Sequence, residues 1–283
     1  MQKKIDTVKT LMDAMPFIKE FRDEIVVIKY GGSAQTSDEL KAKFAQDIVL
    51  LYLVGVKIVI VHGGGSRISE LLSNLKIPTE FIDGERVSTP EVMRIVEMVL
   101  SGEINKEITS LLNSYGAKAI GISGKDAHFL RAKPKDEEKF GLTGRVESVN
   151  ADVIHNLLRE GFVPVIAPIG SDPIVGHPGY NINADLAASA VAAAIGACKV
   201  IFMTDTPGVL NKDKELFSTL NEAQIEALKA DGTISGGMVP KVDSCLEAVD
   251  AGVPKAHIID GRIEHAILLE MFTSEGVGTQ ITL

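Results

Sequence analysis

Cysteine is nearly absent from this chain: Cys198 and Cys245 are the only two, far apart and in apolar surroundings. That excludes a disulfide or thiolate–metal framework and reads as small buried hydrophobes in a reducing compartment. The six histidines show no HExxH or comparable spacing, so no protein-borne metal ligands are expected. Basic charge is in deficit, with 29 Lys and Arg against 38 Asp and Glu and a net charge of −9. Neither nucleic acid nor an anionic membrane surface would be attracted to such a chain. A small anion is not excluded, because a local basic pocket can sit in an acidic protein. Apolar runs of membrane length are missing too: 48–61 is broken by Gly55 and Lys57, and 184–203 by Asp185, Ser189 and Lys199. The charged, amphipathic N-terminus lacks the apolar core of a signal peptide, which points to a cytoplasmic protein. The dinucleotide fingerprint G-x-G-x-x-G and the Walker A loop are both absent.

What is present is organised around Lys57–Ser69, KIVIVHGGGSRIS. Ile58 to Val61 is a β-branched run of the kind buried on both faces of a sheet. Three glycines follow, and Ser66 then opens a polar–apolar pattern through Ile68, Leu71, Leu72 and Leu75 with helical spacing. Strand, glycine turn and helix together offer backbone N–H groups and a positive helix end to an anion, and glycine lets a ligand approach the backbone. A second strand, Ile25–Tyr30, ends in Lys29 beside Gly31-Gly32-Ser33. Lys29 is either a stem packed in the sheet with its head in water or a fixed cation over a phosphate. Asn181, Asn183 and Asp185 precede an alanine-rich helix, where capping and dipole chemistry account for them as well as a polar site does. Lys241 falls in the first turn of a helix over 238–251, against the dipole, a placement that a bound phosphate would explain.

Strands and helices alternate along the rest of the chain. Helices are predicted over 5–22, with Pro16 predicting a kink, over 38–54, after the Thr89-Pro90-Glu91 cap, and over 104–115. Further helices are predicted over 152–160 behind Asn150, 184–195, 221–230 and 263–271. Strands are predicted over 118–122, 163–167, 199–205, 255–260 and 279–283. Residues 129–132 and 142–149 read as an antiparallel hairpin whose tip, 133–141, is solvated and without function. Residues 168–179 read as a long loop. The fold class that follows is α/β, a three-layer sandwich around a central, mainly parallel sheet.

With these pieces in order, KYGGS (29–33), VHGGG (61–65), DGERVS (83–88), SGKD (123–126), NINAD (181–185), TDTPGVL (204–210) and GGMVPK (236–241) resemble the motifs of the amino acid kinase family. The likeness runs from residue 25 to the end. It implies that family's fold, and ATP with Mg²⁺. DGxRV after HGGG, followed by NINAD, resembles the members that phosphorylate N-acetyl-L-glutamate, rather than carbamate, aspartate, UMP or free glutamate. By resemblance, Lys29 and Lys241 stabilise the transferring phosphoryl group and Asp185 holds those lysines. Gly64, Gly65, Arg86, Asn181 and Asn183 match contacts to the acceptor. Gly31 and Gly32 match the turn against the phosphates, and Thr204, Asp205, Lys212, Gly236 and Gly237 match the nucleotide side. Thr206-Pro207 and Ser33 depart from the residues commonest there. An N-terminal helix, 1–22, would precede an acceptor-binding lobe, 23–196, and a nucleotide-binding lobe, 197–283, on one continuous sheet. The implied nucleophile is a carboxylate, ionised at neutral pH, so no general base is needed and the missing catalytic histidine or cysteine is no puzzle.

MPFIKEF (15–21) and HAILLEMFTSEGVGT (265–279) also resemble the arginine-inhibited members of that family, hexamers built as trimers of dimers through N-terminal helices. Phe17, Lys199, Glu270 and Gly276 match their inhibitor site, with Glu270 against the cationic group of L-arginine. Phe17 stands where a tyrosine is often found. Two other readings stay open. One is a relative with another acceptor, such as glutamate 5-kinase; the other is a non-catalytic, ligand-binding regulator on the same fold, against which the intact Lys29, Asp185 and Lys241 speak.

Overall fold

The computed structural model describes residues 1–35 and 37–283. Its central sheet has eight strands, which run edge to edge as Thr219–Asn221, Gly278–Thr282, Ala256–Asp260, Lys199–Thr204, Ile25–Tyr30, Lys57–His62, Val163–Ala167 and Ala119–Ser123. Every neighbouring pair is parallel except Ala256–Asp260 with Gly278–Thr282. The chain steps from Ile25–Tyr30 to Lys57–His62 on one side, and later from Lys199–Thr204 to Ala256–Asp260 on the other. The order therefore reverses between Ile25–Tyr30 and Lys199–Thr204. In an open parallel sheet, the crevice outside the carboxyl ends of the strands at such a reversal is where ligands bind.

Alternation decides what each strand presents to each layer. Val26, Ile28 and Tyr30 join Ile58 and Ile60 against Phe44, Ile48, Leu72, Val96 and Ile267. Those come from helices Asp38–Leu53, Gly65–Asn74, Pro90–Glu97 and Ala266–Phe272. Val27, Val59, Val61 and Phe202 face the other layer, where Ala187, Ala188, Val191, Cys245 and Val249 pack from helices Ala184–Ala194 and Met238–Asp250. Alanine side chains let these two helices approach closely, and Ser189 Oγ donates across to the Ser244 carbonyl at 2.7 Å. A smaller sheet of Leu130–Pro134, Thr143–Val149, Tyr180–Ile182 and Ile169–Gly170 adjoins this layer. The expected three-layer α/β sandwich with its N-terminal helix is what the chain forms.

The predicted caps are made. Thr89 accepts from the Val92 amide with Pro90 behind it, Asn150 from Asp152, and Asn183 from Asp185 and Leu186. The N-terminal helix, Gln2–Phe21, contains Pro16 within one element. Two expectations need correcting. The helices predicted on either side of residue 100 are joined, because Pro90–Glu97 passes through a π-helical stretch, Met98–Ile104, into Asn105–Tyr115. Nor is the hairpin tip merely solvated. Glu137–Phe140 is a helical turn capped by Asp136, and its Phe140 is 3% exposed. Lys135 and Lys139 stand 4.8 and 5.0 Å over that ring, and pair with Glu85 at 2.7 Å and Asp83 at 2.9 Å. An apolar ring with cations over it gives the tip a reason to fold back on the chain.

Candidate active site

Lys29 shares the strand face of Val27, the face covered by helix Ala184–Ala194. Its Nζ lies 2.8 Å from Asp185 Oδ1, with side-chain exposures of 14% and 17%. At that distance Asp185 fixes the position of the ammonium. At Gly31 an added Cβ would strike the Met203 carbonyl and stand 3.4 Å from Lys29 Nζ. Glycine there keeps the two switch-point strands in contact and the lysine head uncovered. A Cβ on Gly32 would reach 4.0 Å from Ser66 Oγ, and one on Gly63 would reach 3.8 Å from Ala184 Cβ. Both glycine turns and the start of the Asp185 helix therefore meet at one place.

Helix Gly65–Asn74 begins there with no side-chain cap, so its first N–H groups remain available. A Cβ at Gly64 would collide with Ile104 and stand 2.7 Å from Leu100 Cδ2, whereas Gly65 has open space around it. The π-helical turn thus packs on one side of the glycine run and leaves the other side free. Just before it, His62 is fully buried, between the Gly63 carbonyl and Asn105 Nδ2, each at 3.2 Å. Burial pushes its pKa down to about 4, the Gly63 carbonyl opposing and Lys106 adding to the effect. This neutral imidazole is a fixture of the turn. Asn105, also fully buried, donates to the Val165 carbonyl at 2.8 Å and so ties the turn to the next strand. The sequence analysis did not single out His62 or Asn105; a lone asparagine inside a helical pattern carries no signal.

Arg86 closes the far side of the glycine helix. It is 6% exposed, with Nη1 donating to Thr79 Oγ1 at 2.8 Å and Nη2 to Ser69 Oγ at 2.8 Å and the Gly65 carbonyl at 3.0 Å. Its Cζ lies 4.6 Å over the Phe81 ring. Burial pulls its pKa below the ordinary value. Every partner is neutral, and among the described residues no carboxylate pairs with this cation. Asn181 Nδ2 donates to the buried Ser88 Oγ at 3.1 Å. Asn183 is exposed at the head of its helix, its side chain spent on the cap.

The residues that match the nucleotide side by resemblance gather less tightly. Thr204 Oγ1 is held by the Thr206 amide at 3.1 Å, and Asp205 is exposed at the end of its strand. Gly236, at φ 54°, and Gly237 have nothing within 4 Å of a Cβ position. Lys212 pairs with Asp231 at 3.1 Å in the open. Lys241 sits in the first turn of Met238–Asp250, one turn ahead of Cys245, whose thiol burial and then the Asp185 charge push well up. The two helices therefore pack on each other, as the Ser189–Ser244 bond also shows. Even so, Asp185 makes an ion pair with Lys29 and none with Lys241, which has no ion pair among the described residues.

A second cluster lies at the opposite, amino end of the same strands. Phe17, Lys199, Glu270 and Gly276 all line one cavity of about 420 Å³ there. Glu270 Oε1 is 2.6 Å from His257 Nδ1 and 3.4 Å from Lys199 Nζ, and Oε2 accepts from the Val277 amide at 3.2 Å. Burial opposes its ionisation, yet His257, Lys199 and that amide hold its pKa down at about 2. Lys199 Nζ also lies 5.1 Å over the Phe21 ring of the N-terminal helix.

A family model described as the Amino acid kinase family matches residues 24–260. The acetylglutamate kinase of Sulfurimonas denitrificans is 71% identical over 283 residues, covering 100% of both chains. That of Nitratiruptor sp. is 70% identical over 281 residues, covering 99% of both. Among solved structures, the N-acetylglutamate synthase from Neisseria gonorrhoeae complexed with coenzyme A and N-acetyl-glutamate superposes with a TM-score of 0.86 at 22% identity. The match covers 98% of this chain and 63% of that longer one, a likeness of fold.

Proposed function

The chain belongs to the amino acid kinase family, and we propose that it transfers the γ-phosphoryl group of ATP to the side-chain carboxylate of N-acetyl-L-glutamate, a step of arginine biosynthesis. Full-length relatives at 70% and 71% identity carry that activity in their names. The observation that carries the acceptor side is Arg86. A buried guanidinium bonded only to neutral groups, beside an uncapped helix start, calls for a carboxylate. Acetylglutamate brings an α-carboxylate for that fork and keeps its side-chain carboxylate for the reaction.

A carboxylate oxygen attacks the γ-phosphorus, the new O–P bond forms as the bond to the β-phosphate oxygen breaks, and ADP leaves. No proton moves. Lys29, fixed by Asp185, and Lys241, from the adjoining helix, offset the charge on the transferring group, while Gly31, Gly32 and the Gly64-Gly65 amides cradle its oxygens. Among the described residues no cluster of three His, Cys, Asp or Glu side chains could hold a metal. That donor set fits Mg²⁺ carried on nucleotide phosphates with at most one or two carboxylates, of which Asp205 is the exposed candidate. The ion would offset negative charge on the phosphates, with Asp205 as the residue that would help to hold it.

The same reading assigns residues 23–196 to the acceptor and 197–283, with Thr204, Asp205, Lys212, Gly236 and Gly237, to the nucleotide. It assigns the cavity around Glu270 to L-arginine as inhibitor. The exposed apolar face of the N-terminal helix supports a hexamer, a trimer of dimers. The deciding assay is ADP release from Mg-ATP with a panel of acceptors. Turnover with acetylglutamate and little with free glutamate is expected; turnover with free glutamate alone, or none with any acceptor, defeats the proposal.

A further inference from the structure

The hairpin that should have been idle reaches the acceptor pocket through two buried hydroxyls. Ser88 is fully buried and Thr143 is 4% exposed. Their oxygens lie 2.8 Å apart, and Thr143 Oγ1 donates to the Arg86 carbonyl at 2.5 Å. With Thr143's proton on that carbonyl, Ser88, which also lies 3.4 Å from it, donates to Thr143 at the shorter distance. Ser88 in turn accepts from Asn181 Nδ2 at 3.1 Å. The protons therefore run one way, from the Asn181 amide to Ser88, to Thr143, to the Arg86 backbone. Main-chain bonds lace the same segments: Ser88 to the Phe140 carbonyl at 3.0 Å, Leu142 to the Ser88 carbonyl at 2.7 Å, and Asn181 to the Leu142 carbonyl at 2.9 Å. Outside, Lys135–Glu85 and Lys139–Asp83 pin the hairpin tip over residues 83–86.

We propose that Thr143 and Ser88 are positioning residues for the acceptor, a hydroxyl relay that sets Arg86 and Asn181 relative to each other. The Arg86 guanidinium is held from one side by Thr79, Ser69 and the Gly65 carbonyl, with no carboxylate, and its main chain is held from the other side by Thr143, so its aim depends on both. The relay holds that main chain and, at its other end, orients the Asn181 amide. Each link is buried, so a lost hydroxyl leaves a polar group unsatisfied and the pair misaligned. The inference builds on the kinase reading and adds two residues to which the resemblance gave no role.

Steady-state kinetics of the full chain test it. Thr143→Val should raise the KM for acetylglutamate roughly tenfold, with kcat and the KM for ATP within about twofold, and Thr143→Ser should restore the wild-type value. Ser88→Ala, which removes one oxygen and keeps the backbone, carries the same expectation should Thr143→Val fold poorly. A normal acceptor KM in folded Ser88→Ala, or an equal rise in both KM values, overturns the relay. If the wild-type protein turned over no acceptor, the kinase reading alone would fall. Crystal structures of wild type and Ser88→Ala then decide: a displaced Asn181 amide and Arg86 main chain support the relay, and an unmoved pair overturns it.

Discussion

At the carboxyl ends of the strands, Arg86 has no carboxylate partner and Lys241 no ion pair among the described residues. At the amino ends of the same sheet, Lys199, His257 and the Val277 amide all converge on Glu270. One end is left short of anions, with glycines keeping space open; the other has matched its buried charge internally. Buried cations without counter-ions raise the folding cost, so they persist where a ligand supplies the missing charge. A polyanionic nucleotide and a dicarboxylate are such ligands. At the satisfied end, an arriving cation has to compete with Lys199 for Glu270. Binding there would thereby loosen Lys199 from its place over Phe21, and so act on the N-terminal helix.

The sharpest way to break the comparison is at the open end. Lys29→Arg or Lys241→Arg keeps the charge but loses the compact ammonium, and should lower turnover by roughly 10²–10³. Lys241 is the stronger test, because no ion pair ties it to Asp185; near-normal turnover in Lys241→Arg would leave Lys29 alone with the phosphoryl group. Arg86→Lys should come next, raising the KM for acetylglutamate by about tenfold or more while the KM for ATP stays nearly constant. An equal rise in both constants would move Arg86 out of the acceptor pocket.

Acid separates the two ends by window. The unfolded His62 imidazole takes a proton near its ordinary 6.5 and the folded one only near about 4, so acid favours the unfolded chain across that interval. Glu270 is depressed from 4.5 to about 2, so the stability it lends is complete above 4.5 and lost as pH falls through about 2. Each is on the order of 3 kcal/mol. Asp47, raised to about 6 by burial, acts with the opposite sign in the upper window, and His257, lowered by burial, with the same sign. The test is therefore the difference in urea midpoint between wild type and His62→Gln, which should change between pH 6.5 and 4 and stay constant below that. A constant difference between pH 6.5 and 4 would mean that His62 is not the group being protonated.

How much of this was legible differs residue by residue. Strand Ile25–Tyr30 and the Thr89 and Asn150 caps were readable because each is decided by near neighbours, through a β-branched run or a cap and its first turn. Lys29 and Asp185 were readable as odd placements, although their 2.8 Å pairing spans two remote segments. The joined helix was not, since Ser101-Gly102 looks like a break and the π-helical turn exists to pack Leu100 and Ile104 on Gly64. Nor was the Ser88–Thr143 link, between two hydroxyls with nothing in their local pattern to pair them. The hairpin tip misled because KPKDEEKFG has six charged residues and a single aromatic ring, Phe140, and that one ring decides its fold.

The smallest effect on chemistry, and the clearest on regulation, is expected from shortening the N-terminal helix. Val8, Leu11, Met12 and Met15 are each more than half exposed on it, whereas Phe21 is 7% exposed and Phe17 packs on the core. The helix thus has two parts, an outer apolar face with no cover in one subunit and an inner end that belongs to the Glu270 cavity. Removing all of residues 1–22 would strip Phe17 and Phe21 and expose core, so the informative cut leaves them in place. Deletion of residues 1–13 should convert a hexamer to dimers, because the outer face is what a second subunit would cover. Turnover without arginine should stay within about twofold, since Lys29 and Arg86 lie at the other end of the sheet. Inhibition by L-arginine should weaken, while Glu270→Gln in the full chain should abolish it and keep the hexamer. Light scattering and inhibition curves on the two variants separate assembly from ligand recognition. A full-length chain that scatters as a dimer and ignores millimolar arginine would end the regulatory reading and leave the kinase standing.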